Sequence, residues 1–233
     1  MKTRGLRRLV IVVVVLVVAL ISLHVFVDTS IGGITPLGIA ASHGNVTITH
    51  FLLHMGADPN QHVEKHAGFQ PTPLVEAAIE DHPDVIRILL AHGAQIDKPG
   101  NEGRNPLIWA AIMRHIDSAT LLLQSGANPN LTGNLGFNYG WTALHWATSN
   151  NDEAMVRLLL FYHAHPNLRS GRRLETPLHI AALDNHAALI PVLVAAGAQV
   201  NARNSAGQTP LTLALHEQHR EAIAALLAAG GTK

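Results

Sequence analysis

The chain has 233 residues, 48% of them hydrophobic, which is enough for one continuous core. It has no cysteine, which excludes disulfides, cysteine–zinc sites and thiol nucleophiles. Sixteen basic and sixteen acidic residues cancel, but Lys2, Arg4, Arg7 and Arg8 crowd the N-terminus, and past residue 30 there are 12 basic and 15 acidic residues. A weakly acidic body argues against nucleic acid as the principal partner.

The first predicted element is residues 9–27, which contain no Asp, Glu, Lys or Arg. As a helix the span is roughly 28 Å long, close to the ~30 Å hydrocarbon core of a bilayer. Leu9–Val18 is Val, Ile and Leu with no polar face, unlike an amphipathic surface helix. Two readings remain: a cleaved secretory signal, and an uncleaved signal anchor. The A-x-A pattern of a cleavage site is missing, which favours the anchor. The division expected is therefore an anchor over residues 1–29 and a second domain over 30–233. Basic residues stay on the cytoplasmic side, which would place 30–233 across the membrane, in the periplasm or outside the cell.

From Thr35 a unit recurs six times, starting at Thr35, Thr72, Asn105, Thr142, Thr176 and Thr209, in steps of 37, 33, 37, 34 and 33 residues. The fifth copy reads TPLHIA from Thr176 to Ala181; the others read TPLGIA, TPLVEA, NPLIWA, TALHWA and TPLTLA. Thr or Asn at the first position can N-cap a helix, and Pro next to it suits N1. A polar break follows, then a second apolar run ending in Leu-Leu or similar. Gly56, Gly93, Gly126 and Gly197 then supply a left-handed residue to stop the helix. Two such short helices cannot bury their own apolar faces, so the units must stack.

A period near 33 residues carrying T-P-L-H-x-A resembles the ankyrin-repeat family over residues 34–231, about 85% of the chain. The resemblance implies an all-α solenoid of helix-turn-helix units with β-turn fingers, here preceded by one apolar membrane helix. Departures from the pattern are visible. His163 stands where four copies have Gly, and Pro191 falls in the second helix of the fifth unit. The motif histidine, which in the family ties neighbouring units together, survives at His145 and His179 and is replaced by Gly38, Val75, Ile108 and Thr212. The second helix of the first unit, with Thr47, Thr49 and His50, is more polar than later copies, which predicts a capping unit with a wet outer face.

The resemblance also implies a protein partner held by finger tips and the exposed ends of the first helices. The helix positions that fall there include Ile79, Ile112, Met113 and Leu183, which are apolar where a solvated wall would be polar. The fingers add Phe69, Arg104, Phe137, Tyr139 and Trp141, the aromatic and arginine types of binding hot spots. Packing between fingers is the competing reading for Trp141 and Phe69, and half-burial for Ile112. Trp109 and Trp146 are expected in the core. The run Arg169–Arg173 is a wet loop or a dock for an acidic partner.

Sixteen histidines raise the question of metal. His82, His115, His186 and His219 each lie ten residues after a capping residue, and with His145 and His179 they are expected to be framework. The early group is His43, His50, His54, His62 and His66; His50 and His54 are i,i+4 on one helix face. A site needs a third ligand, for which Glu64 in the first finger is a candidate. No nucleophile elbow, P-loop, H-E-x-x-H or G-x-G-x-x-G occurs. The expectation is a monomeric, membrane-tethered, non-catalytic binding protein with no cofactor or metal. A secreted effector and a histidine-dependent metal-binding protein or hydrolase are the alternatives.

Overall fold

A computed structural model of the chain describes residues 35–62, 70–133 and 140–233. The apolar span 9–27 and the finger residues Phe69, Phe137 and Tyr139 lie outside the described residues. No helix among the described residues is long and apolar enough to cross a membrane.

The described residues form twelve helices in six pairs. Inner helices are α1 (Pro36–Ser42), α3 (Pro73–Ile79), α5 (Pro106–Met113), α7 (Ala143–Ser149), α9 (Pro177–Leu183) and α11 (Pro210–His216). Outer helices are α2 (Val46–His54), α4 (Pro83–Ala91), α6 (Ile116–Gln124), α8 (Glu153–Phe161), α10 (Leu189–Ala195) and α12 (Arg220–Ala228). Inner helices stack on one another in one row and outer helices in a second row. The result is the all-α solenoid the repeats predict.

The six capping residues each accept the N–H three residues on, in Gly38, Val75, Ile108, His145, His179 and Thr212. This fixes where every inner helix begins. The Ala pairs behind them, such as Ala77-Ala78 and Ala181-Ala182, have no exposed surface, so the helix pairs meet at close range. The outer helices add Leu52, Ile86, Leu89, Leu122, Leu159, Leu193 and Leu226 to the same core. Each outer helix ends with an N–H returning to a carbonyl five residues back, as in Ala94 N–H to Leu89 O at 3.0 Å. The residue between is left-handed in every unit, including His163 at φ 63°, where its Cβ costs on the order of 1 kcal/mol against glycine.

Pro191 has a visible effect. The other outer helices begin eleven residues after their capping residue and run nine residues, whereas α10 begins thirteen after and runs seven. Proline has no N–H for a carbonyl four residues earlier, and its ring crowds that turn, so the helix starts two residues late.

The first unit differs from the sequence expectation. Its outer face is not polar: Ile39, Val46, Ile48 and Phe51 are 41–50% exposed. A cleft of about 430 Å³ opens there between Pro36, Ile39, His43, Ile48 and Leu52. The cause is positional, since no unit among the described residues lies before this one to cover the face that later units bury.

Candidate interaction surface

The surface is set by ties between consecutive units. The imidazole of His145 accepts the N–H of Thr142 on Nδ1 at 3.3 Å, which leaves Nε2–H to donate to Glu175 O at 3.2 Å. His179 does the same between Thr176 N–H (3.2 Å) and Gln208 O (3.1 Å). Burial lowers the pKa of His145 from 6.5 to about 4 and lowers that of His179, so both rings stay neutral. These bonds hold the fingers before units five and six against the inner helices behind them.

A second set runs along the turns. His82, His115, His186 and His219 each reach a carbonyl at the end of the preceding inner helix: Ser42, Ala78, Ser149 and Ala182, at 3.1–3.3 Å. They are framework, as their spacing implies. At the junction of units three and four Asn150 takes this role, donating to Ala111 O and Ile112 O.

The third set was not foreseen. The Asn that closes a unit clamps the next unit with both ends of its amide. Asn167 donates to Gly197 O and accepts from Gln199 N–H. Asn60, Asn130 and Asn201 repeat the pattern. Asp97 occupies this place at the junction of units two and three, and its carboxylate accepts from Asn128 N–H at 3.1 Å with no amide to donate. Burial raises its pKa. The recurrence of Asn or Asp at the end of each unit was the available signal.

On this frame Arg104, Trp109, Trp141 and Trp146 come together, all half-buried. The Arg104 guanidinium lies 5.3 Å from the Trp109 ring and 5.6 Å from the Trp146 ring. Trp146 meets Trp141 edge-on at 4.9 Å, and Trp141 stacks on His145 at 6.0 Å. Trp109 donates its indole N–H to Glu102 at 2.9 Å. Trp146, half-buried, packs against the core as expected, whereas Trp109 is half-buried without joining it. They flank a cation–π cluster joining units three and four. Trp141 does pack against its neighbouring finger. Gly171, at φ 74°, faces it closely enough that an added Cβ would sit 3.3 Å from the indole nitrogen.

The apolar residues at the inner helix ends divide. Met113 is 41% exposed. Ile79 and Leu183 are half-buried, and Ile112 packs against the core, so Ile112 is in large part a packing residue. Between Ile112 and Leu183 the row is interrupted by Ser149, whose hydroxyl reaches Asp184. In the Arg169–Arg173 run, Arg169 donates to the carbonyls of Leu174 and Arg203, and Arg173 lies 4.0 Å from Glu175. Arg169 ties its finger to the next one, and Arg169, Arg172 and Arg173 all remain exposed.

Comparisons with known proteins agree with this architecture. Residues 60–133 match the family described as "Ankyrin repeats (3 copies)", and 107–160 and 169–214 match "Ankyrin repeats (many copies)". Residues 32–62 match "Ankyrin repeat". The chain is similar to the B-cell lymphoma 3 protein homolog of Mus musculus, 29% identical over 77% of this chain and 40% of that protein. It is also similar to the ankyrin repeat and KH domain-containing protein mask-1 of Caenorhabditis elegans, 33% identical over 81% of this chain. A putative ankyrin repeat protein of Rickettsia bellii is 33% identical over 39% of this chain and 32% of its own length. The chain spans less than half the length of each of these relatives, and 6% of the second.

Proposed function

The chain belongs to the ankyrin-repeat family, and from that premise we propose that it is a non-catalytic protein-binding module tethered to a membrane. The observation that carries the binding reading is the Arg104–Trp109–Trp146–Trp141 cluster, half-exposed where the fingers meet the inner helices. Aromatic and arginine side chains held rigid and partly desolvated are what binding hot spots use. Met113, exposed at the end of α5, supplies an adaptable apolar contact in the same unit as Arg104 and Trp109.

Tethering is supported by the uncharged span 9–27 and the four basic residues before it. By the same charge rule the repeats lie on the non-cytoplasmic side. Removal of residues 1–29 should move the chain from the alkali-washed membrane pellet to the supernatant; a full-length chain that washes off would end this reading. A mature N-terminus near residue 30 would establish the secreted form instead.

The binding reading is tested by purifying the full chain from solubilised membranes with whatever it holds. Arg104→Ala and Met113→Ala should each weaken a captured partner at least tenfold with helicity unchanged. Equal affinity in both variants would place recognition elsewhere.

A further inference from the structure

The early histidines find their third member outside the finger. His50 and His54, one turn apart on α2, meet His92 at the end of α4. Ring centroids lie 4.3 Å (His50–His54), 5.6 Å (His50–His92) and 5.3 Å (His54–His92) apart. One ring nitrogen from each lies within 4.8 Å of the other two. The geometry points to a zinc-class divalent metal site formed by His50, His54 and His92, bridging the outer helices of the first two units.

Three features favour a metal over a chance grouping. First, the tautomers are set. His54 Nδ1 is 3.2 Å from His50 O, and His92 Nδ1 is 2.9 Å from Ile88 O. A carbonyl can only accept, so each Nδ1 carries the proton and each neutral ring is left with its lone pair on Nε2. A backbone carbonyl on the other nitrogen is the usual orienting partner of a zinc-bound imidazole. Second, the movement required is small. Tetrahedral zinc at about 2.0–2.1 Å from each nitrogen brings ligands to roughly 3.4 Å of one another. His50 and His54 are exposed and His92 half-buried, so the side chains have room to approach from the present separation of 4.8 Å or less. Third, the donor set is coherent: three imidazoles suit zinc, nickel and copper, and none of the three is an oxygen ligand that would favour calcium or magnesium. Water completes the fourth position.

The site is built on the outer helices of units one and two and shares no residue with the Arg104 cluster, so it can fail without affecting the binding reading. The ion would act as a clip. Its ligands come from two units, and binding to the folded form alone stabilises that junction.

The test uses the full chain without a histidine tag, stripped with chelator and titrated with Zn²⁺ by calorimetry. One ion per chain is expected, with His54→Ala and His92→Ala each weakening binding at least tenfold and His62→Ala leaving it unchanged. Zinc should raise the melting temperature of the unaltered chain and not that of the His92→Ala variant. Proton–nitrogen correlation spectra should show Nε2 shifting on metal addition while the Nδ1 protons of His54 and His92 persist. Weak binding at several sites, indifferent to both variants, would overturn the assignment. So would loss of binding in His62→Ala, which would move the site to the first finger. Circular dichroism of each variant separates lost binding from lost fold.

Discussion

Two stretches of the spine, units two and three and units four and five, solve the same junction problem with different chemistry. At the motif position, units four and five bury His145 and His179, each bridging a capping residue and the next finger. Units two and three bury Val75 and Ile108 there, with 0% and 1% exposure, and use aliphatic packing. The inner helices stack in one unbroken row across both. The repeat geometry is therefore set by caps, small residues and the leucine core, and the histidine is one of two ways to fill a fixed slot. The difference lies in what each filling requires. A buried imidazole must remain neutral, while valine and isoleucine are indifferent to protons.

That contrast can be broken by experiment. The largest effect expected is from His145→Ala, about 3 kcal/mol in chemical denaturation, because it leaves a cavity and the buried Thr142 N–H without its acceptor. Val75→Ala should cost about 2 kcal/mol, from lost packing alone. Equal or reversed costs would show that the histidine adds nothing beyond volume.

Acid should discriminate almost as strongly. Because burial holds His145 near 4 against 6.5 in the unfolded chain, protons bind the unfolded ring first. Stability contributed by this ring is complete above pH 6.5 and is lost as pH falls toward 4, by up to about 3 kcal/mol. His179 has the same sign. Asp97, Glu175 and Asp184, raised by burial, act oppositely at the acid end of the window. The measurement is therefore the difference between the unaltered chain and His145→Gln, whose stability should fall less between pH 6.5 and 4. Parallel curves would refute the neutral-ring account.

Two smaller changes sharpen the comparison from opposite sides. His163→Gly relieves a left-handed side chain in the histidine-tied half and should raise stability by about 1 kcal/mol. Asp97→Asn supplies the missing donor in the aliphatic half, completing the clamp that Asn60, Asn130, Asn167 and Asn201 form, for about 0.5–1 kcal/mol. A loss in either case would show that the unit-to-unit equivalence fails there.

Much of this was legible in the residues. Thr35, Thr72, Asn105, Thr142, Thr176 and Thr209 are caps because a hydroxyl or amide beside an apolar run has few other local uses, and all six act as caps. Pro191 and His163 announced their effects by breaking a pattern. What escaped was contact between units beyond the motif histidines and the packing of Trp141 on its neighbouring finger. Trp109 and Trp146 look like core residues by position, and nothing in their spacing shows that Arg104 reaches both rings from the finger before unit three. His92 lies 38 residues from His54, and a search within the same unit finds the finger residues instead. One rule would have found it: His54 and His92 sit 19 and 20 residues after their capping residues, and equivalent places on stacked outer helices are neighbours. Phe69, Phe137 and Tyr139 lie in the longest fingers, where the sequence offers no pattern from which to place a side chain.

The histidine and asparagine ties each reach one unit along and no further. A spine joined only to its immediate neighbours unzips from its ends, so amide exchange should be fastest in the first and last units and slowest near the middle. Arg104 and its aromatic partners sit in the third and fourth of six. Fraying that loosens either terminus would reach the docking face last, and a partner seated there would hold the segment that is already the slowest to open.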